Sequence, residues 1–143
     1  MFLGQFEHAL DPKGRVILPA MFRKQLEGGA YLSKALEGCV AIYPAEEFER
    51  VAADLMEKSR RGQKERQAAR TFAANASPAS IDKQGRMLVP ANLREFAGLE
   101  KDVVIAGSLN SVEIWDAGRW REMDREGDMS LVMGGPGLDD LGI

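Results

Sequence analysis

Residues 11–23 read DPKGRVILPAMFR, and residues 82–94 read DKQGRMLVPANLR. The two stretches lie 71 residues apart and share an Asp, a Gly, an Arg, a Pro, an Ala and a final Arg at matched positions. A tandem copy of this kind predicts two equivalent units joined by a linker. The shared residues describe a turn, a cation and a strand rather than a catalytic set. The repeat therefore favours a pseudo-symmetric binding protein.

Both copies predict the same order of elements. A short strand, Gln5–Ala9 or Ala79–Ile81, leads into a turn whose glycine, Gly14 or Gly85, supplies a positive φ. A second strand follows and ends at a proline, which suits the start of a short helix. Two more strands complete each copy. Because about 45 residues rarely hold a core alone, we expect an α+β fold in which tandem β-β-α-β-β repeats share a barrel-like sheet with flanking helices.

Composition sets the expected domain limits. The two repeats occupy residues 5–47 and 76–119, and residues 48–75 form a helical linker with apolar side chains at helical spacing. Residues 120–143 are assigned to an acidic, Gly-rich C-terminal tail, which from residue 134 onward has the composition of a loop or of disorder.

The charges are unevenly distributed, although the 143 residues carry a net charge of only −3. Residues 58–70 hold six cations and one acidic residue, whereas residues 122–143 hold six acidic residues and one cation. Binding responds to the local potential over a Debye length of about 8–10 Å, so an acidic total does not exclude a phosphate partner. For residues 58–70 themselves, a solvated helical face is the favoured interpretation over direct contact with nucleic acid.

The turn residues are the candidate binding site. An Arg directly after a turn glycine, Arg15 or Arg86, is held outward, and its planar fork can grip a phosphate or the edge of a guanine. Lys13 adds a point charge, while Asp11 and Asp82 can accept bonds from the N–H groups of their own turns. Alternatively, each Arg pairs with its own Asp and only fixes the turn. Both interpretations can hold together.

Catalytic and metal-binding patterns are missing from the sequence. It contains no nucleophile elbow, no phosphate-binding glycine loop and no His/Cys pair, and His8 and Cys39 are each the single residue of their kind. We therefore predict a protein that is not an enzyme and that needs no metal, cofactor or small-molecule substrate. No apolar run approaches the roughly 20 residues that cross a bilayer, and no export signal opens the chain. The expected location is the cytoplasm, without a membrane partner.

The two Asp-x-x-x-Arg motifs, the apolar triplets that end in Pro19 and Pro90, and the opening residues 1–4 resemble the MraZ family of bacterial proteins with two tandem SpoVT-AbrB domains. The resemblance extends to about Trp120. It implies swapped-hairpin β-barrels and a DNA-binding transcriptional regulator, usually a repressor, of the division and cell wall gene cluster that includes its own gene. It also implies that the partner is double-stranded promoter DNA with G-rich direct repeats. The chain would form a ring-shaped homo-oligomer and would be located at the nucleoid.

The resemblance carries a role over to matched positions only. By motif, the DNA-facing pairs are Asp11 with Arg15 and Asp82 with Arg86. Lys13 has no basic counterpart at Gln84, so we expect the two loops to contribute unequally. Two other functions stay open at this point: a protein-interaction module of antitoxin type, which would use the acidic residues 122–143, and an oligomeric scaffold without a specific ligand.

Overall fold

The computed structural model describes residues 1–143. Most predicted elements are confirmed, and a 3-10 turn at Leu36–Gly38 separates the third and fourth strands. In chain order, the strands and helices are β1 Gln5–Ala9, β2 Arg15–Ile17, α1 Ala20–Gln25, β3 Ala30–Lys34, β4 Val40–Pro44, α2 Ala45–Lys58, α3 Gln63–Asn75, β5 Ser77–Pro78, β6 Arg86–Leu88, α4 Ala91–Ala97, β7 Asp102–Gly107, β8 Val112–Asp116 and α5 Ala117–Met133.

Strand β5 corrects one sequence prediction. The strand expected at Ala79–Ile81 lies instead at Ser77–Pro78, and within the expected range only Ile81 makes an isolated bridge, to Met87. Pro78 has no N–H to donate, so it is tolerated here because β5 is the edge strand of its sheet.

The sheets join the two repeats. One antiparallel sheet has the order β1-β7-β8-β4-β3-β5, and β2 and β6 form a separate antiparallel pair. Strand β1 of the first repeat pairs with β7 of the second, while β5 of the second repeat pairs with β3 of the first. Each repeat therefore lends its first strand to the other. The predicted α+β class, with a mostly antiparallel sheet and flanking helices, is confirmed.

Both repeats supply a single core. Its cluster of 19 buried residues includes matched pairs such as Phe22 with Leu93 and Val16 with Met87, all at most 1% exposed. The Phe2 and Phe6 rings meet Phe22 edge to face, with ring centroids 5.6 and 5.5 Å apart. Full burial of one such side chain stabilises a fold by about 1.5–3 kcal/mol. Each repeat therefore depends for its stability on the core side chains that the other repeat supplies.

The C-terminal region differs from the sequence prediction. Residues 120–133, which the composition assigns to the tail, are helical and belong to α5. The Asp116 side chain caps this helix by accepting a hydrogen bond from the Arg119 N–H at 3.1 Å, and Gly134 ends it with a φ of 62°. None of the helices combines the length and the apolar composition that crossing a bilayer requires.

Candidate nucleic-acid interface

The two Asp-x-x-Gly-Arg loops have the same internal geometry. Asp11 Oδ1 accepts hydrogen bonds from the N–H groups of Lys13 at 2.9 Å and Arg15 at 2.8 Å. In the second loop, Asp82 Oδ1 accepts from the N–H of Gln84 at 2.9 Å and of Arg86 at 3.0 Å. Each loop is therefore closed by one carboxylate oxygen, as expected for an aspartate that opens a turn.

The second carboxylate oxygen fixes the arginine. Arg15 Nε donates to Asp11 Oδ2 at 2.6 Å, and Arg86 Nε donates to Asp82 Oδ2 at 2.8 Å. The Nη atoms of both arginines make no hydrogen bond within the chain, and the two side chains are 29% and 32% exposed. The predicted pairing of each Arg with its own Asp is thus present, and it leaves the Nη edge of each guanidinium free for another partner.

Both aspartates are held in their ionised form. The N–H of Arg15 lowers the pKa of Asp11, aided by the Arg15 side chain and the N–H of Lys13. The pKa of Asp82 is lowered in the same way, first by the N–H of Arg86. Hydrogen bonds donated to a carboxylate favour its charged form. At neutral pH each arginine therefore remains tied to a charged partner.

The ribbon of β2 and β6 brings both arginines to one face. Val16 and Met87, its central pair, are buried, so the residues on either side of them point outward. Arg15 lies opposite Leu88, and Arg86 lies opposite Ile17, which places the two arginines on a diagonal about 7–8 Å apart at the backbone. Ile17 and Leu88 lie on the same face as the two arginines and are 50% and 48% exposed.

Each loop is also braced by the other repeat. The Arg94 guanidinium lies where a Cβ on Gly14 would be, and the Arg23 guanidinium lies in the same place relative to Gly85. The Val89 N–H donates to Gly14 O at 2.9 Å, and Leu18 donates to Gly85 O at 3.0 Å. Both copies of the motif end in the same residue, Arg23 or Arg94. The sequence does not reveal the role of these residues, because nothing in one copy shows that its brace belongs to the other copy's loop.

The lysines at the loop tips are not matched. Lys13 is exposed, and its counterpart Gln84 is uncharged, as the sequence showed. Lys83, one position earlier, is exposed and gives the second loop a cation of its own, which a comparison of matched positions does not show. The unequal contribution of the two loops stays a prediction.

The single cysteine and the single histidine are not part of the β2–β6 ribbon. Cys39 is fully buried, and burial raises the pKa of its thiol above the ordinary value. His8 lies on β1, opposite Val103 of β7. No group of three or more His, Cys, Asp or Glu side chains is placed to hold a metal ion.

Comparison with known proteins identifies the family. The family described as "MraZ protein, putative antitoxin-like" matches residues 1–71 and again residues 72–133. The chain belongs to the MraZ family. The second MraZ match runs to Met133, beyond Trp120, where the resemblance noted in the sequence had ended.

MraZ relatives cover most or all of the chain. A protein of Thermoanaerobacter sp. (strain X514), named "Transcriptional regulator MraZ", is 43% identical over 143 residues, which is 100% of both chains. Proteins of the same name from Lachnoclostridium phytofermentans and Symbiobacterium thermophilum are 45% identical over 121 residues and 44% identical over 124 residues. These alignments cover 84% and 87% of this chain, and 84% and 90% of the two relatives.

Proposed function

We propose that the chain is a sequence-specific, DNA-binding transcriptional regulator whose contact surface is the outward face of the β2–β6 ribbon. The observation that carries the proposal is the free Nη edge of Arg15 and Arg86, presented on one face by two identically built loops. The name "Transcriptional regulator MraZ" of its relatives supports a role in transcription. Nothing in this role calls for a cofactor or a catalytic group.

In the proposed contact, the ribbon enters the major groove, which admits a two-stranded β-ribbon. The Nη edge of Arg15 or Arg86 can then donate two parallel bonds to guanine O6 and N7, each pair giving about 1–3 kcal/mol of discrimination. Lys13 and Lys83 at the loop tips are placed for phosphates. Ile17 and Leu88 offer aliphatic surface of the kind that contacts thymine methyl groups. The Asp–Arg bonds reduce the side-chain freedom that binding would otherwise cost.

The exchange of β1 and β5 between repeats supports a swapped-hairpin β-barrel of AbrB type for the fold. In this proposal the two SpoVT-AbrB units are residues 5–47 and 76–119, joined by the helical linker 48–75. The two units share one ribbon, so they present one DNA-binding surface rather than two.

One ribbon is too small to bind DNA well alone, because specific complexes usually bury about 1,000–2,500 Å² of protein surface. We propose a ring-shaped homo-oligomer that aligns identical ribbons along a duplex with G-rich direct repeats. The proposed target is the promoter of the division and cell wall gene cluster that includes the chain's own gene, and the proposed effect is repression. The protein would act in the cytoplasm, at the nucleoid.

Selection from a random DNA pool tests the proposal. The wild-type chain should enrich a G-rich motif, and an Arg15→Ala/Arg86→Ala variant should enrich none. A control variant, Lys24→Ala/Arg121→Ala, removes two exposed cations outside the ribbon and should enrich the wild-type motif. Enrichment of an unchanged motif by the Arg15/Arg86 variant would refute the proposal. Failure of the wild-type chain to enrich any motif would favour a scaffold without a specific ligand.

A further inference from the structure

Helix α5 occupies the place in the second repeat that α2 occupies in the first. Each helix follows one of two paired strands, β8 or β4, and each carries an aromatic residue in its first turn. Phe48 of α2 stacks on Tyr31 with ring centroids 4.5 Å apart, and Trp120 of α5 packs beside Trp115 at 6.0 Å. Helix α2 is followed by α3, which packs against it. Residues 134–143 form no helix, so within residues 1–143 α5 has no helical neighbour that corresponds to α3.

The distal part of α5, residues 124–133, projects from the body as an arm. Every residue of the arm is exposed. Met129, Val132 and Met133 are 61%, 85% and 75% exposed, and their spacing of three and four residues places them on one helical face. An apolar face at that spacing is typical of a helix that packs against another surface.

Helices α2 and α3 form an apolar groove on the other half of the molecule. Its volume is about 410 Å³, and nine of its 11 lining residues are hydrophobic. Phe48 and Phe72 are stacked along it with centroids 5.7 Å apart, while Met56 at its rim is 65% exposed. The lining includes no residue of α5, so the arm leaves the groove of its own chain open.

Charge matches the arm to the groove. The segment 58–70, which connects the two groove helices and begins α3, holds six cations and one acidic residue. Residues 122–143, which contain the arm, hold six acidic residues and one cation. Arranging opposite charges at two surfaces favours their encounter and sets their orientation. The arm and the groove are therefore both apolar, and the segment that joins the groove helices is opposite in charge to the C-terminal segment that contains the arm.

We propose that the arm of one copy docks into the α2–α3 groove of the next copy, with Met129, Val132 and Met133 as the anchors. The inference rests on the oligomeric part of the proposed function and identifies the surface that would build it. An amphipathic helix in a hydrophobic groove is a common mode of association, and methionine sulfur packs well against aromatic rings such as Phe48 and Phe72. Because the two surfaces are different, the contact is head to tail, which closes into a ring when the rotation allows.

Two full-length variants separate the two surfaces. The arm variant carries Met129→Lys and Val132→Lys, and the groove variant carries Met56→Asp and Ala73→Asp, all at exposed positions where the fold should survive. The matched control, Gly127→Lys/Ser130→Lys, adds the same charge to the arm outside the anchor face. Light scattering after size-exclusion chromatography, without DNA, should give an oligomer for the wild type and the control. It should give a monomer for the arm variant and for the groove variant.

Mixing the arm variant with the groove variant is the decisive step. One supplies an intact groove and the other an intact arm, so the mixture should form a one-to-one dimer and nothing larger. Monomers in that mixture, wild-type mass in either variant alone, or a wild-type chain that is monomeric would each overturn the inference. None of these outcomes depends on Arg15 or Arg86. The proposed docking surface can therefore be refuted without refuting the proposal that the ribbon recognises DNA. Circular dichroism of each variant checks that the fold is retained.

Discussion

Arg94 of the second repeat lies against Gly14 in the loop of the first, and the Val89 N–H bonds to the carbonyl of the same glycine. Arg23 and Gly85 repeat the arrangement in the opposite direction. Each loop thus owes its shape both to its own aspartate and to the other repeat. A change in one copy should therefore affect the loop of the other.

The first prediction concerns these glycines. Gly14→Ala and Gly85→Ala should each lower the free energy of unfolding by more than about 1 kcal/mol, because φ is 82° and 81° and the new Cβ would collide with Arg94 or Arg23. Gly28→Ala is the control, since a Cβ there meets nothing within 4 Å. Urea denaturation measures all three. Equal stability of the three variants would show that the brace does not constrain the loops.

The second prediction asks whether Asp82 acts by orienting Arg86 or only through its negative charge. Asp82→Ala removes a negative charge beside the proposed DNA contact, so electrostatics alone would tighten binding. We expect instead a roughly fivefold loss of affinity for promoter DNA, because Arg86 loses the hydrogen-bond partner that orients it. Glu95→Ala, which removes an exposed acidic residue on α4, is the control. Fluorescence anisotropy provides the readout, and tighter binding by the Asp82 variant would argue against positioning.

The third prediction is a pH dependence. The pKa values of Asp11 and Asp82 are lowered from the ordinary 3.8, so the stability that these carboxylates contribute is fully present above pH 3.8. It is lost as the pH falls below 3.8 through the pKa of the folded state. The free energy of unfolding of the wild type should therefore exceed that of an Asp11→Ala/Asp82→Ala variant most at neutral pH. This gap should narrow in acid. Denaturation curves from pH 7 to pH 3 test this, and a gap that does not change with pH would contradict it.

The fourth prediction assigns Lys13 to the phosphate backbone. Lys13→Ala should weaken binding to all DNA sequences alike and should make the slope of log K against log salt shallower by about 0.9. Lys24→Ala on α1 should leave that slope unchanged. Anisotropy titrations at several salt concentrations on specific and scrambled DNA decide it. A loss confined to the specific sequence would instead assign Lys13 to a base.

The sequence predicted those features that depend on neighbouring residues. The Asp-x-x-Gly-Arg turns and the proline-started helices are each encoded within a few residues, and the structure confirms them. The pairing of β1 with β7 across the repeats is not local, and two similar copies offer each strand two similar partners. Arg94 was therefore seen as a repeated residue but not as the brace of Gly14.

Two further differences have their own physical reasons. The short edge strand at Ser77–Pro78 has no alternating pattern, whereas Ala79, Ser80 and Ile81 alternate between apolar and polar and give a false strand signal just after it. The distal half of α5 carries a glycine, alternating acidic residues and no buried side chain, so composition indicated a tail. The helix is set by its cap at Asp116 and by its place in the second repeat. Within residues 124–133, the apolar residues that share one helical face are limited to Met129, Val132 and Met133.

The central claim is that the paired guanidinium groups of Arg15 and Arg86 are the DNA contact. The most direct test is the affinity of the wild type and of the Arg15→Ala, Arg86→Ala and double variants for the DNA upstream of the chain's own gene, over a salt series. Each single change should cost about 1–3 kcal/mol, and the double change should abolish preference for that DNA while the oligomeric mass stays constant. A double variant with wild-type affinity and an unchanged salt slope would contradict the account.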